Sequence, residues 1–183
     1  MNRKHIRKFF SLADYLDEEL FLQSMHKAGW KMINFKALGW QYTFEKCEPE
    51  DYIYQLDFKQ KKEQDEADYL LLFADCGWEH FFTFNGWYYF RKVKSEAMEE
   101  NMIFNDAASR AEMAKKIMSY QWLIIFPTLI FLFVYTTNFL INTRSFWGHL
   151  FTFFYLSLAL LAIGIAVRNY LKLNKIIEQN TLL

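Results

Sequence analysis

The chain reads as an α+β protein: tandem βαββ repeats forming an antiparallel-sheet domain, followed by a two-helix transmembrane hairpin. Three features carry this reading. Two long segments lack charged side chains, Tyr120–Ile141 (22 residues) and Trp147–Val167 (21 residues). The preceding part alternates short amphipathic strands with two helical stretches, in the order strand, helix, strand, strand, twice over. Residue pairs recur between the two halves of that part, as Ala13-Asp14-Tyr15-Leu16 and Ala67-Asp68-Tyr69-Leu70 show.

Each uncharged segment has the length of about 20 residues that an apolar helix needs to span a bilayer core. Asn142 to Phe146 is a polar break holding Arg144. Arg110, Lys115 and Lys116 precede the first span; Arg168, Lys172 and Lys175 follow the second. This bias predicts both termini in the cytoplasm and a multi-pass protein of the cell membrane. Met1–Phe10 is basic, but no signal-length apolar run follows, so the N-terminus is expected to be neither cleaved nor exported. Cys47 and Cys76 are then reduced thiols. The chain divides into a duplicated βαββ domain at 1–94, a helical stalk at 95–119, the hairpin at 120–168 and a tail at 169–183.

Within the domain, Lys4–Phe10 is the first strand. Ser11-x-x-Asp14 is a helix-start pattern, and a helix follows to Ala28, ended by Gly29. Trp30–Ala37 and Trp40–Lys46 are strands joined at Leu38-Gly39. In Tyr52–Phe58, Tyr52, Tyr54, Leu56 and Phe58 alternate with Ile53, Gln55 and Asp57. Lys59–Glu66 is a charged, solvated loop. A short helix covers Asp65–Cys76. Trp78–Phe84 and Trp87–Val93 form a hairpin around Asn85-Gly86. Asp106 is placed to cap a stalk helix that runs into the first span, and Met102, Ile103 and Phe104 to touch the domain or the lipid surface. Pro127 is expected to kink the first span. Arg168–Leu183 is an amphipathic tail expected to fray.

Further pairs repeat: Gly29-Trp30 with Gly77-Trp78, Gly39-Trp40 with Gly86-Trp87, and Tyr42 with Tyr89. The offsets are 54 residues for the helices, 48 for the first strand of each pair and 47 for the second. One unit cannot bury both sides of its sheet, so the copies must pack together.

Aromatics make up 20% of the chain, more than a membrane hairpin alone requires. Trp122 and Trp147 sit at span ends as an aromatic belt. Trp30, Trp40, Trp78 and Trp87 each begin a strand. Two readings stand. In one, they form a pair of aromatic cores. In the other, Trp30, Trp40, Tyr42, Trp78, Glu79, Phe81, Trp87 and Tyr89 line a groove between the repeats that binds an apolar or cationic ligand. In Trp78–Phe84, strict alternation puts Trp78, His80, Phe82 and Phe84 on one face and Glu79 and Phe81 on the other. Glu79 is the carboxylate placed to meet a cation.

The 21 basic residues balance the 21 acidic ones, which argues against a direct nucleic-acid binder. His5, His26, His80 and His149 are scattered. There is no HExxH, no Gly-rich phosphate loop and no GxSxG. No enzyme, cofactor or metal is expected.

Leu22-x-x-Met25-x-x-x-Gly29-Trp30, Tyr42-x-Phe44, Tyr52-x-Tyr54-x-x-Asp57-Phe58, Gly77-Trp78-Glu79 and Trp87-x-Tyr89-Phe90-Arg91-Lys92 resemble the bacterial DUF2812 family of membrane proteins. The resemblance covers Lys4 to Val93. It implies proximity to PadR-type transcriptional regulators, beside which such proteins are often encoded, and so a role in regulating a stress or drug response. The doubled βαββ order also looks like the effector-binding domains of GyrI-type drug sensors, which use an aromatic groove with an acidic residue; that likeness is architectural. The expected function is a non-enzymatic, membrane-anchored sensor or adaptor acting with a cytoplasmic regulator. The alternative is a structural accessory subunit of a membrane transporter or other membrane complex. The expected partners are the lipid bilayer, a protein (a transcriptional regulator or a membrane protein) and a small apolar or cationic ligand.

Overall fold

The computed structural model describes residues 2–59, 66–94, 107–142 and 146–181. The elements are β1 (Arg3–Arg7), a 3-10 turn (Leu12–Asp14), α1 (Tyr15–Lys27), β2 (Trp30–Lys36), β3 (Gln41–Lys46), β4 (Tyr52–Phe58), α2 (Glu66–Asp75), β5 (Glu79–Phe84), β6 (Trp87–Val93), α3 (Ala107–Asn142) and α4 (Phe146–Thr181). Most of the loop expected at 59–66, the Asp106 cap, Met102 to Phe104 and the polar break around Arg144 lie outside the described residues.

The strands form two three-stranded antiparallel sheets with the same order, β1-β3-β2 and β4-β6-β5. We call them sheets A and B. Each helix ends at a left-handed glycine, Gly29 (φ 82°) and Gly77 (φ 77°), before the next strand begins. At α2 the Trp78 N–H donates to the Phe73 carbonyl and the Gly77 N–H to the Ala74 carbonyl, which closes the last turn. A Cβ on Gly29 would lie 3.1 Å from the Cys47 carbonyl oxygen, a tight approach that adds to the strain another residue would meet at this left-handed φ.

The duplication extends to irregularities. β2 bulges between Met32 and Asn34, and β5 between His80 and Phe82, at equivalent places. The cross-strand pairs also match. Met32 opposes Phe44 as His80 opposes Phe90, and Lys31 opposes Glu45 as Glu79 opposes Arg91. These pairs set β3 and β6 46 residues apart, not the 47 expected from the Gly-Trp dipeptides. The cause is turn length. Residues 37–40 form a four-residue connection, whereas Asn85-Gly86 is a two-residue turn with both residues left-handed (φ 47° and 83°). A one-residue slip moves every side chain to the opposite face. Tyr42 therefore corresponds to Tyr88, Trp87 to Gln41, and Trp40 sits in the turn (φ 46°) with no strand counterpart. The expected superposition of Trp40 on Trp87 is corrected: Trp40 is 51% exposed and Trp87 is buried.

The bulge also corrects the face assignment of β5. Because Phe81 is the extra residue, alternation breaks there. Phe81 and Phe82 both pack into the core that holds Tyr54 and Tyr89, while His80 turns to the other face and meets the Thr83 hydroxyl at 2.7 Å.

Helix α1 packs against both sheets. Its buried stripe is Tyr15, Glu18, Leu22 and His26, the spacing of one helix face. Phe21 contacts the Tyr42 and Phe44 rings of sheet A, and His26 contacts Tyr52 and Tyr54 of sheet B. Helix α2 covers the other face of sheet B, where Phe73 stacks on Phe90 at 3.8 Å beside Trp78 and Tyr88. Sheet B is thus buried on both faces. The outer face of sheet A carries Arg3, His5 and Arg7, all exposed.

Helices α3 and α4 contain segments long and apolar enough to cross a membrane, Ala111–Thr137 and Gly148–Gln179. Pro127 lies inside α3, which continues through it. Both helices extend past the uncharged runs Tyr120–Ile141 and Trp147–Val167 and join the domain core. Ala114, Ile117, Leu173 and Ile176 are buried in the same cluster as Tyr15 and Phe58. The tail expected to fray is instead helical through Thr181. Its anchor is Asp14. Lys172 Nζ donates to Asp14 Oδ1 at 2.5 Å and to Asp17 at 2.6 Å, and Arg168 donates to both Asp14 oxygens at 3.2 and 3.0 Å. The Ser11 N–H and hydroxyl donate to the same carboxylate, and that hydroxyl also lies 2.8 Å from Asn169 Oδ1. Asp14→Asn is expected to lower stability by about 1–2 kcal/mol, below the value for a fully buried pair because Arg168 is 58% exposed. The check is the thermal midpoint of the detergent-solubilised chain; an unchanged midpoint means the clamp adds nothing.

Candidate functional site

Both β-hairpin turns lie at one end of the domain, and a cleft opens there between the repeats. Sheet A contributes Phe35, Ala37, Trp40 and Tyr42; sheet B contributes Phe84, Asn85, Trp87 and Tyr89. The segment Phe10–Leu12 with Tyr15 and Glu18 of α1 supplies the third wall. The cavity volume is about 160 Å³, the size that holds a single aromatic ring. Phe35 and Phe84 meet edge to face at 5.3 Å between centroids.

Glu18 is the polar feature of this cleft. Its Oε1 accepts hydrogen bonds from the Tyr42 hydroxyl at 2.8 Å and the Tyr89 hydroxyl at 2.9 Å, one from each repeat. The residue is only 7% exposed. Burial raises the carboxyl above its ordinary value, and the two phenols offset part of that rise. Burial and the neighbouring carboxylate push both phenols up, so Tyr42 and Tyr89 remain donors.

Of the eight residues expected to line a groove, the cleft brings together Trp40, Tyr42, Trp87 and Tyr89. The other four lie elsewhere. Trp30 is half-buried between the ammonium groups of Lys4 and Lys46, at 5.5 and 5.2 Å. Trp78 is buried beneath α2. Glu79 is held by Arg91 in a two-pronged ion pair at 2.7 and 2.6 Å, and that guanidinium holds the carboxyl below its ordinary value. The same guanidinium covers Phe81 at 5.0 Å. The carboxylate beside the aromatic cleft is therefore Glu18, which sequence reasoning missed. A signal existed: Tyr15, Glu18, Leu22 and His26 share one helix face, so Glu18 interrupts a buried stripe.

His26 marks a second polar cluster between the sheets. Its ring stacks on Tyr52 at 4.0 Å, and Nδ1 lies 2.9 Å from the Tyr54 hydroxyl. Burial, helped by the charges of Arg91 and Lys31, lowers it to about 4. Among the described residues, no His, Cys, Asp and Glu side chains are grouped as a metal site.

Fold and site together define a duplicated βαββ domain with an inter-repeat aromatic cleft, joined through one core to two helices long and apolar enough to cross a membrane. The chain belongs to the DUF2812 family, whose model, described as "Protein of unknown function (DUF2812)", matches residues 14–126. That match takes in Glu18, Tyr42, Trp87 and Tyr89. No curated protein and no solved structure matches the chain.

Proposed function

We propose that the chain is a non-enzymatic, membrane-anchored sensor that binds a small organic cation or apolar aromatic group in the inter-repeat cleft and acts with a cytoplasmic regulator. Helices α3 and α4 serve as the two spans, with both termini on the cytoplasmic side, because Lys115, Lys116, Arg168, Lys172 and Lys175 cluster at one end of the pair. The observation that carries the ligand reading is Glu18. A carboxylate taken out of water is costly unless a counter-charge meets it. Its nearest partners are neutral phenols, and the aromatic walls around it favour a cationic face-on contact.

The test compares benzyltrimethylammonium with its neutral isostere, neopentylbenzene, titrated into the detergent-solubilised chain while tryptophan fluorescence is followed. Trp40 and Trp87 in the cleft are the reporters. The cation is expected to bind more tightly, and Glu18→Gln is expected to lose about tenfold of that affinity, or about 1.4 kcal/mol, with neopentylbenzene unaffected. Equal affinities for the two compounds, unmoved by Glu18→Gln, would remove the cation reading. Glu18→Gln keeps an acceptor for the two phenols and removes a buried charge, so its thermal midpoint at neutral pH should equal or exceed that of the native chain.

A further inference from the structure

Three large apolar side chains are exposed at the turn end of sheet A: Leu38 (96%), Trp40 (51%) and Phe9 (50%). Phe9 and Trp40 form one unit, with ring centroids 5.0 Å apart at an interplanar angle of 79°. The Lys8 N–H donates to the Trp40 carbonyl at 3.0 Å, which fixes the two segments side by side. A lone exposed leucine needs no explanation, but a cluster of this kind does.

Its position relative to the helices identifies the partner. Phe9, Phe10, Ser11 and Leu12 line a second, largely apolar cavity of about 380 Å³ with Gln121 and Ile125 of α3 and Ala162, Ile165, Ala166 and Asn169 of α4. Ile125 lies nine residues beyond Lys116, and Ala162 six residues before Arg168. At 1.5 Å per residue, both stand roughly 9–13 Å inside the nearest charge on their helix. Phe9 therefore lines a cavity that runs from the charged root of the helix pair, at Asn169, to the start of the apolar bands. Three basic residues, Arg7, Lys8 and Lys36, lie within two positions of Phe9 or Leu38 in sequence and are exposed. Aromatic and aliphatic tips bordered by basic side chains match the boundary between headgroups and acyl chains.

We propose that Phe9, Leu38 and Trp40 enter the headgroup–acyl boundary of the bilayer, so the domain rests on the membrane through a third contact besides the two helices. This inference rests on the reading that α3 and α4 span that bilayer. The contact orients sheet A with its β2–β3 turn toward lipid and the loop before β4, at the far end of β3, toward water.

The test uses the full chain with Cys47→Ser and Cys76→Ser, reconstituted in vesicles of equimolar phosphatidylcholine and phosphatidylglycerol. An NBD fluorophore is attached singly at Leu38→Cys, Glu50→Cys or Phe131→Cys. Leu38 and Glu50 are exposed positions at opposite ends of sheet A, and Phe131 lies mid-way along the apolar part of α3, 72% exposed. The label at 38 is expected to be blue-shifted and several-fold brighter than the label at 50. Spin-labelled lipid carrying its nitroxide near the headgroup should quench it more than lipid labelled deep in the chain, while the label at 131 shows the reverse order. A label at 38 as wet as that at 50, with 131 in lipid, overturns the third contact and leaves the spans standing. A label at 131 that responds to aqueous iodide and to no lipid quencher overturns the spanning reading, and the third contact with it.

Discussion

Phe90→Ala is expected to cost about 3–5 kcal/mol, a large share of the 5–15 kcal/mol that holds a typical domain together. Phe90 is fully buried and stacked face to face on Phe73, with the Tyr69 and His80 rings around it. The rest of the cavity is walled by a sheet and a helix, which cannot collapse into the gap. The repeat supplies an internal control at another position. Trp87→Ala and Gln41→Ala alter structurally equivalent residues, yet Trp87 is packed between Tyr15 and Phe58 while Gln41 lies on the outer face of sheet A. The first should lose several kcal/mol and the second about 0.5 kcal/mol or less. Near-UV circular dichroism melts of the detergent-solubilised chain measure all three. Comparable losses for Trp87→Ala and Gln41→Ala would contradict the one-residue register assignment.

Acid is expected to destabilise the domain as pH falls from 6.5 toward 4. His26 is buried and held neutral, at about 4 against an ordinary value of 6.5. The groups facing it are Tyr52 and Tyr54 from sheet B, with the charges of Arg91, Lys31 and Glu79 nearby, the last opposing the shift. A histidine with a lowered folded value favours folding in its neutral form. Its contribution is complete above 6.5 and is lost as pH falls toward 4, by roughly 3 kcal/mol. Glu18 acts in the opposite sense: its raised value means that protonation on acidification relieves a burial cost. Asp14 is held well below the usual carboxylate range: burial alone would raise it, but hydrogen bonds from Lys172 and Ser11 outweigh that, so its clamp weakens only in stronger acid. His26→Gln, which retains a partner for Tyr54, should flatten the fall in thermal midpoint between pH 6.5 and 4. Glu18→Gln should steepen it. Parallel profiles for native and His26→Gln chains would place the acid sensitivity elsewhere.

The element order was legible because period-two strands and glycine-ended helices are local patterns. Every strand appears within a few residues of its expected bounds. What was not legible depends on register. The Gly39-Trp40 and Gly86-Trp87 dipeptides look alike, but the turns containing them differ by two residues, and no local signal weighs that difference. The same limit hid the partner of Glu79. Cross-strand pairing with Arg91 follows only once the bulge at Phe81 is known, and it removes Glu79 from the groove. Four of the aromatic residues singled out, Trp40, Tyr42, Trp87 and Tyr89, nevertheless line the cleft, because aromatic strand residues must face something apolar whichever face they occupy. Arg168 and Lys172 illustrate a different limit. The sequence pattern reads them as the basic flank of an expected span; in the structure the same charges hold Asp14, a long-range contact that sequence spacing does not encode.

The segment Phe10–Leu12 forms part of the wall of both cavities, the aromatic cleft and the apolar space at the root of the helix pair. Two spaces that share a wall are not independent compartments. If α3 and α4 slide or tilt and carry the segment between them and Glu18 along, a ligand bound in the cleft as proposed would resist that movement. Linkage is reciprocal: a change in helix packing that alters cleft affinity tenfold is itself shifted tenfold by filling the cleft. Under the proposed topology, the short stretch from Phe10 to Leu12, pinned at Ser11 to Asn169, is where lateral pressure on the helix pair and filling of the cleft would enter a single free-energy balance.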